Sequence, residues 1–509
     1  MFRLTADKRH IYTMGLGSFL LAIGALSVGW LPPLFNVSVN GILEAARLSD
    51  YGPIIGRVSA VIGGAIILHT WLRLGVDVLR KQITSMRALW SMLLVSIVPL
   101  LLVPPLFSRD LYSYIAQGRL MAHNINPYTH GVSALPGWFQ LGADPIWAET
   151  PTPYGPIYLA FQGFVAQVLP NSPWWAMLAL KATAILGLIL IALAVTILAQ
   201  QHGIAPEAAF WLAALNPLML LHLVAGGHND SLMIAGMLWA FVFANQRRFV
   251  LAGLAMIFAA GVKPIALLAL PFVALAWLPR KTSWRSIVTS WLSATVLVGS
   301  GLLALGALLN LGVGWIGALS TPGSVKTLLS PSTALGQLIG LVASSFNFDI
   351  TETLISSFRL FGLASALVLV ALIALRPQGQ SPVRQASFAF TAVIALSPVM
   401  QPWYLLWALP LVAVSGLARA WHLRTIVFGT AFFVVYALAE INVVTDSVID
   451  ITDVISVVAA ALVVLAVSLA SPRERLLVTG EQYASGLKPE NLAAAQAQRM
   501  DVTQVSVAG

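Results

Sequence analysis

Long apolar runs separated by short polar intervals make up most of this chain. The runs are rich in Leu, Ala, Val and Ile, and many are long enough to cross a hydrocarbon core of about 30 Å as a helix. Lipid offers no hydrogen-bond partner to exposed backbone, so the other spanning structure is a closed barrel of alternating strands, which continuous apolar runs do not build. The pattern therefore predicts an all-α, polytopic membrane protein.

Basic residues in the polar intervals predict the topology, because cytoplasmic loops collect Lys and Arg. Arg3, Lys8 and Arg9 precede the first run, and Arg80 and Lys81 lie between the second and the third. With both intervals in the cytoplasm, residue 110 emerges on the outer face. We expect about 14 spans with both termini inside, and partial helices on the outer face at 155–169 and 335–346. The predicted spans are 11–31, 53–74, 88–107, 174–199, 206–224, 231–245, 248–261, 264–278, 286–310, 354–375, 386–400, 404–418, 425–444 and 452–470.

Composition narrows the classes of function. Only 9% of the 509 residues are charged, and the formal net charge of +9 comes mostly from loops between spans, so it indicates membrane topology and not nucleic-acid binding. The chain has no cysteine, which excludes disulfides, thiolate nucleophiles and Cys-based metal sites. We expect a membrane domain over 1–470 that starts with an uncleaved span, and a disordered cytoplasmic tail over 471–509.

A distinctive polar stretch follows the third run, where residues 108–119 read Ser-Arg-Asp-Leu-Tyr-Ser-Tyr-Ile-Ala-Gln-Gly-Arg. Ser108 is suited to cap a helix whose first turn holds Asp110. Helical spacing puts four side chains of the stretch on one face: Asp110, Ser113, Tyr114 and Gln117. A carboxylate beside hydroxyl and amide groups is suited to act as a catalytic base, and the alternative is an amphipathic interfacial helix with a capping Asp.

Under this topology the other unusual polar clusters emerge on the same side as Asp110. A membrane enzyme with a lipid-linked substrate needs a polar pocket at one interface, whereas a transporter tends to place polar residues near the midplane. The clusters are His123–Tyr128, Glu149–Pro156, Gly226–Asp230, Gly261–Pro264, the loop 311–334 and Gln401–Tyr404.

Single residues in these clusters leave alternatives open. Lys263 lies where an apolar segment breaks. The two alternatives for its ammonium group are a contact with an anionic phosphate and a position at the membrane interface, reached by snorkelling. Tyr128 and Tyr154 stack on a sugar or belong to an aromatic belt. The His228-Asn-Asp230 motif is expected to hydrogen-bond substrate, because the outer loops offer no further ligands at metal spacing. We expect neither a metal ion nor a cofactor.

These motifs, taken in their order along the chain, resemble a known family. The stretch Ser108–Arg119 with Asn126–Tyr128, followed by Pro153–Pro156, His228–Asp230, Val262–Pro264 and Gln401–Tyr404, resembles the actinobacterial polyprenyl-phosphate-mannose-dependent α-(1→6)-mannopyranosyltransferases. These are GT-C glycosyltransferases that elongate the mannan backbone of lipomannan and lipoarabinomannan. The resemblance covers about residues 10–470 and leaves out the tail.

The resemblance implies transfer of mannose, with inversion, from a polyprenyl-phosphate-mannose donor lipid to a lipid-anchored α-(1→6)-mannan acceptor on the extracytoplasmic face of the plasma membrane. Asp110 matches the acid expected to deprotonate the acceptor hydroxyl, and Lys263 is a candidate phosphate contact. The other motif residues are expected to bind substrate: Arg109, Tyr112, Tyr114, Gln117, Arg119, Asn126, Tyr128, Tyr154, His228, Asn229, Asp230, Gln401, Trp403 and Tyr404. The alternatives are a GT-C transferase of another sugar, such as an arabinosyltransferase, and a lipid or solute transporter.

Overall fold

The computed structural model describes residues 6–32, 35, 41–279, 282–324, 326–376, 380–417 and 419–440. These residues form helices, turns and irregular segments, and they include no strand, so the predicted all-α class is confirmed. The predicted span 452–470, the tail 471–509 and the end of the predicted span 425–444 lie outside the described residues.

The α-helices are, in chain order, α1 (Ala6–Val28), α2 (Gly41–Leu48), α3 (Gly52–Leu79), α4 (Met86–Ile97), α5 (Asp110–Ala122), α6 (Pro156–Val168), α7 (Pro173–Gln201), α8 (Pro206–Leu212), α9 (Asp230–Asn245), α10 (Phe249–Val262), α11 (Leu270–Ala276), α12 (Trp284–Leu308), α13 (Gly314–Gly317), α14 (Pro331–Ser344), α15 (Thr351–Ala374), α16 (Pro382–Leu396), α17 (Leu405–Ser415) and α18 (Ala420–Glu440). Short 3₁₀ segments lie at Val98–Leu100, Val132–Ala134, Pro145–Trp147, Pro264–Ala269, Thr321–Ser324 and Pro402–Tyr404, and a π-helical segment lies at Met219–Ala225.

Six helices in the described part of the chain are long and apolar enough to cross a membrane. They are α1, α3, α7, α12, α15 and the part of α18 from Trp421 onwards. The predicted polytopic membrane protein is therefore confirmed. The count of about 14 spans stays a prediction, because several of the predicted spans are apolar helices of 10–17 residues.

Three predicted spans are not continuous helices, and a proline lies at each break. The predicted span 88–107 passes from α4 into the 3₁₀ segment Val98–Leu100, which contains Pro99, and residues 101–107 are not helical. The predicted span 206–224 divides into α8 and the π-helical segment, with Pro217 between them. The predicted span 264–278 starts as a 3₁₀ segment at Pro264 and becomes α-helical only at Leu270. Proline has no N–H to donate and its ring clashes with the preceding turn, so it breaks or kinks a helix; α17 is the described helix that continues through an internal proline, Pro410.

The two partial helices predicted at 155–169 and 335–346 are present as separate helices. The first is α6, which starts with Pro156 at its first position and ends before Pro170. The second is α14, which starts at Pro331, capped by the Ser330 side chain, and is longer than predicted. It shortens the predicted loop 311–334, which also contains α13.

Close helix packing fixes where α5 lies. At Gly118 of α5, a Cβ would come within 2.3 Å of the Gln162 carbonyl oxygen on α6. Only glycine allows the two backbones to approach this closely. A second contact joins α3 and α8: the rings of Trp71 and Trp211 stack at 5.2 Å, and each indole N–H donates to the other residue's carbonyl oxygen, at 3.0 and 2.9 Å. The helix that begins at Asp110 is therefore part of a rigid scaffold.

Candidate active site

Asp110 is the first residue of α5 and so lies in the first turn, as predicted, but the N-cap residue is Arg109 and not the predicted Ser108. The hydroxyl of Ser108 accepts a hydrogen bond from the Asp110 backbone N–H at 3.1 Å, which satisfies one of the N–H groups that the start of a helix leaves unpaired. The Asp110 side chain is 18% exposed. The first turn of a helix is a favourable position for an acidic side chain.

His228 lies against the Asp110 carboxylate. Its Nδ1 is 3.2 Å from Asp110 Oδ2, within ion-pair distance but off the line of a hydrogen bond. The imidazole is fully buried and stacks on the indole of Trp403, with centroids 4.0 Å apart and an interplanar angle of 26°. Stacking and burial leave the ring little freedom, so one nitrogen is held facing the carboxylate.

A glycine brings the His228 loop onto α5. Gly227 has a φ of +71°, in the left-handed region that favours glycine. A Cβ at this position would also meet Leu111 Cδ1 at 2.4 Å. Both constraints require glycine where the chain turns from the π-helical segment Met219–Ala225 into the His228-Asn-Asp230 motif.

A second carboxylate, Asp230 at the start of α9, lies in a different environment. Its side chain is 1% exposed. Lys263 Nζ donates to both of its oxygens at 2.8 and 3.0 Å, and Trp407 Nε1 donates to Oδ1 at 2.6 Å. We call Asp230, Lys263, Trp407 and Tyr404 the Lys263 cluster. Its carboxylate is occupied by protein donors, whereas that of Asp110 has no aligned donor among the described residues.

Aromatic rings surround the Lys263 ammonium group. Nζ lies 5.8 Å from the ring centroid of Tyr154, 5.7 Å from that of Tyr404 and 5.3 Å from that of Trp407. Tyr404 in turn stacks on Trp407 at 4.0 Å. The ring faces carry negative potential, so they add cation–π attraction to the ion pair with Asp230. Lys263 is held inside the protein and does not snorkel to an interface.

Three tyrosines pack between these groups. The rings of Tyr114, Tyr154 and Tyr158 meet edge to face, with Tyr114 5.0 Å from Tyr154 and 5.2 Å from Tyr158. The Tyr114 hydroxyl donates to Asn229 Oδ1 and accepts from the Asn229 N–H, both at 3.4 Å. Burial raises the pKa of Tyr114 and Tyr154 well above the usual value, so both phenols stay protonated at neutral pH. Tyr154 belongs to this interior cluster and not to an aromatic belt.

Hydrogen bonds join the two proline-containing loops to α5. The Thr152 hydroxyl donates to Gln117 Oε1 at 3.2 Å. The Tyr128 hydroxyl donates to the Tyr154 carbonyl oxygen at 2.8 Å, and Asn126 Oδ1 accepts from the Tyr128 N–H at 2.9 Å in a local turn. Gln117, Asn126 and Tyr128 thus support the loop that carries Tyr154.

Three of the predicted substrate-binding residues face away from this region. Arg109 donates to the carbonyl oxygens of Gly142 and Ala143 at 3.1 and 3.0 Å and lies over the Trp30 ring at 4.0 Å. The buried Tyr112 hydroxyl donates to the Trp30 carbonyl oxygen. Arg119 donates to the Pro136 carbonyl oxygen at 3.1 Å. These contacts hold loops in place, so the geometry does not support a place for the three side chains in the Asp110 site.

The residues of the Gln401-Pro-Trp-Tyr404 motif differ in their contacts with the site. Trp403 stacks on His228 and Tyr404 belongs to the Lys263 cluster. Gln401 accepts a hydrogen bond from the Tyr404 N–H with its backbone carbonyl oxygen at 2.9 Å, and its side chain makes no hydrogen bond within the described part of the chain. The motif therefore supplies rings that flank both carboxylates.

Two residues of the site were missed at the sequence level. One is Trp407, whose indole N–H donates to Asp230. It lies four positions after Trp403, and this helical spacing was the signal that could have identified it. His222, in the π-helical segment, has its ring 5.8 Å from that of Trp403 and 6.2 Å from that of His228, and neither ring nitrogen has a hydrogen-bond partner among the described residues. A lone histidine in an apolar run was its only signal.

The sequence matches two family models that together cover most of the chain. Residues 13–279 match the model described as "Alpha-(1->6)-mannopyranosyltransferase, N-terminal domain", and residues 332–470 match the one described as "MptB C-terminal domain". The chain belongs to the α-(1→6)-mannopyranosyltransferase family. The first model includes Asp110, His228, Asp230 and Lys263, so the two carboxylates and their partners lie within the matched region.

Curated relatives of the family align over most of their own length. A probable α-(1→6)-mannopyranosyltransferase of Mycolicibacterium smegmatis is 32% identical, over 78% of this chain and 77% of its own. An α-(1→6)-mannopyranosyltransferase of Mycobacterium tuberculosis is 30% identical over 84% and 82%, and α-(1→6)-mannopyranosyltransferase A of the same species is 31% identical over 79% of each chain. No solved structure matches the chain.

Proposed function

We propose that this protein transfers mannose from a polyprenyl-phosphate-mannose lipid to an α-(1→6)-mannan acceptor in lipomannan and lipoarabinomannan synthesis, with Asp110 as the general base. The names of the relatives support the coarser part, an enzyme with mannosyltransferase activity. The membrane-crossing helices agree with a lipid-linked substrate. The donor, the acceptor and the base are the parts that experiment has to decide.

The difference between the two carboxylates carries the proposal. A general base needs a free lone pair within reach of the substrate proton. Asp230 is closed off, because it is 1% exposed and accepts hydrogen bonds from Lys263 and Trp407. Asp110 is 18% exposed, and within the described part of the chain its one ion-pair neighbour is the His228 ring nitrogen, which makes no hydrogen bond to it. Asp110 is therefore the carboxylate that an acceptor hydroxyl can reach.

The reaction is a single in-line displacement. The acceptor hydroxyl gives its proton to Asp110 while its oxygen forms the new bond to the anomeric carbon of the mannose. The bond from that carbon to the phosphate oxygen breaks, and polyprenyl phosphate leaves with the electron pair. Attack from the face opposite the leaving group inverts the anomeric carbon, so a β-linked donor gives an α-linked product. His228, held by Trp403, orients the carboxylate that receives the proton.

Lys263 is the proposed phosphate contact. Asp230 takes two hydrogen bonds from the ammonium group, which leaves one of its three N–H donors for a phosphate oxygen. The pairing also compensates the buried ammonium charge, because an unpaired charge removed from water is costly. Asp230 thus has a supporting role that differs from that of Asp110.

The proposed location of the site is the extracytoplasmic face. Two observations support it: the basic interval that holds Arg80 and Lys81 precedes α4, and Asp110 follows one apolar crossing later. Polyprenyl-linked sugars on that face would reach Asp110 from the lipid. A site for a cytosolic nucleotide sugar would need the opposite placement.

The test is a transfer assay with full-length protein in membranes. Asp110→Asn is expected to lower the transfer of labelled mannose from polyprenyl-phosphate-mannose to an α-(1→6)-mannan acceptor by about 10²- to 10⁴-fold. Asp349→Asn, at an exposed carboxylate, is the control and should retain activity. Undiminished transfer by the Asp110 variant, at equal expression, would rule out Asp110 as the base.

The same assay separates the alternatives. Linkage analysis of the product distinguishes a mannosyltransferase from a transferase of another sugar, such as an arabinosyltransferase. A lipid or solute transporter would move substrate across the membrane without forming a glycosidic product.

A further inference from the structure

A cavity separate from the Asp110 site lies beside α5. It has a volume of about 300 Å³, and its walls come from α5, α6, the loop around Gly137 and the start of α7. Ile115 and Arg119 line it from α5. Arg119 lies on the opposite side of the helix from Asp110, because nine residues correspond to about two and a half turns. None of the residues that contact the Asp110 carboxylate or belong to the Lys263 cluster lines this cavity.

Two positive groups meet at this cavity. Arg119 donates one hydrogen bond, to the Pro136 carbonyl oxygen, and pairs with no carboxylate among the described residues. Partial burial lowers the pKa of the Arg119 guanidinium. Asn171 and Pro173 bring the start of α7 to the same wall, and the Ser172 side chain does not cap that helix. The positive end of the α7 dipole faces this wall and attracts an anion, although Pro173 has no N–H group and that of Ala176 already donates to the Ser172 carbonyl oxygen at 3.0 Å.

A buried amide also lacks a partner here. Gln162 of α6 lines the cavity and is 1% exposed, and neither its Oε1 nor its Nε2 has a hydrogen-bond partner among the described residues. Buried amides are almost always hydrogen-bonded, because leaving one unpaired costs about 1–3 kcal/mol. An anion with several oxygen acceptors would satisfy the amide N–H group together with the guanidinium.

The surroundings of the cavity indicate a lipid. The remaining wall includes Leu141, Val165 and Leu169. Large apolar side chains close to these positions in the chain are exposed, including Phe164, Val168 and Trp175. An exposed tryptophan beside apolar side chains is typical of the level where a membrane protein meets the lipid head groups. A ligand at this level can keep its phosphate in the cavity and its chains in the bilayer.

We propose that this cavity binds the phosphate ester of a membrane lipid, with Arg119 as the principal contact, Gln162 as a further donor and the positive end of the α7 dipole as an added attraction. The site is separate from the Asp110 centre and does not depend on which sugar is transferred there. A bidentate guanidinium–phosphate contact is favoured, since arginine offers its donors in a planar fork.

The test is native mass spectrometry of the detergent-purified, full-length protein titrated with single lipids. The probes are phosphatidylglycerol, polyprenyl phosphate, a neutral diacylglycerol and inorganic phosphate. We expect the wild type to bind at least one of the two lipid phosphates more tightly than diacylglycerol and inorganic phosphate. Arg119→Gln should weaken that binding by about tenfold or more, and Arg119→Lys should weaken it less. The lipid phosphate that loses affinity identifies the natural class.

Two further variants keep the test decisive. Gln162→Met is expected to fold, because the amide has no partner to lose, and to weaken lipid binding. Arg285→Gln removes an equal charge from an exposed position on α12 and should leave the affinity unchanged. Unchanged binding by Arg119→Gln, or equal binding of diacylglycerol and the lipid phosphates, would overturn the proposal. Equal binding of inorganic phosphate and the lipid phosphates would overturn its lipid part.

Discussion

Nδ1 of His228 lies 3.2 Å from Oδ2 of Asp110, and the histidine side chain is fully buried while the aspartate is partly exposed. The contact joins the first turn of α5 to the loop before α9. It leaves the exposed side of the carboxylate open to a substrate and holds the other side against an imidazole. In this arrangement His228 is the positioning residue and Asp110 is the proposed base.

Replacing His228 is expected to impair turnover more than donor binding. In His228→Gln the side chain can no longer stack on Trp403 as a ring, so the Asp110 carboxylate loses its fixed neighbour. We expect kcat for mannose transfer to fall about 10-fold or more, with a smaller change in the donor KM. His123→Gln, at an exposed histidine on the end of α5, is the control. A rise in KM at constant kcat would contradict a positioning role.

The ion pair between Lys263 and Asp230 is expected to behave as a coupled unit in stability. Lys263→Met or Asp230→Asn alone leaves a buried group without its partner, which costs about 3–5 kcal/mol. The double variant should recover much of this loss, because no charge remains unpaired. Thermal unfolding of the purified protein, analysed as a double-mutant cycle, measures the coupling. Additive effects of the two substitutions would show that the pair contributes no coupling.

The double variant Lys263→Met, Asp230→Asn is expected to regain stability against unfolding but not mannose-transfer activity. If the third N–H of Lys263 contacts the donor phosphate, the double variant is stable but slow in transfer, since the cation is missing. Transfer assays on the Lys263→Met, Asp230→Asn and double variants test this point. Recovery of activity together with stability would assign Lys263 a structural role only.

Adding one methyl group should have opposite effects at two helical glycines. Gly118→Ala on α5 would place a Cβ 2.3 Å from the Gln162 carbonyl oxygen, so the helices must separate, at a cost of about 1–3 kcal/mol. Gly299→Ala on α12 meets nothing within 4 Å and should be neutral or stabilise by up to about 1 kcal/mol, because alanine favours the helix. Unfolding temperatures of the two variants provide the comparison, and equal shifts would contradict the close contact between α5 and α6.

The absence of cysteine makes the topology testable with single cysteines. His123→Cys, exposed at the end of α5, is expected to react with a membrane-impermeant maleimide added to intact cells. Lys81→Cys, exposed after α3, should react only after permeabilisation. The reverse labelling pattern would place Asp110 on the cytoplasmic face and contradict the proposed use of a lipid-linked donor from outside.

For α5, helical spacing predicted which side chains face the site better than membership of the sequence motif did. Asp110, Tyr114 and Gln117 share a face, and the structure turns that face towards the site. Tyr112 and Arg119 lie on other faces of the same helix, and each contacts a different part of the protein. Grouping them with Asp110 followed the order of letters in the motif and not the geometry of a helix.

The sequence by itself determined the all-α membrane class, a helix that starts at Asp110 and the short helices bounded by prolines. These features depend on local causes: apolar length, helical period and the fixed backbone of proline. Only the tertiary structure decided that Asp230 pairs with Lys263 and Trp407, that Asp110 meets His228, and that Arg119 lines a separate cavity. Local patterns state which face of a helix is polar, but the partner of that face comes from packing between segments far apart in the chain.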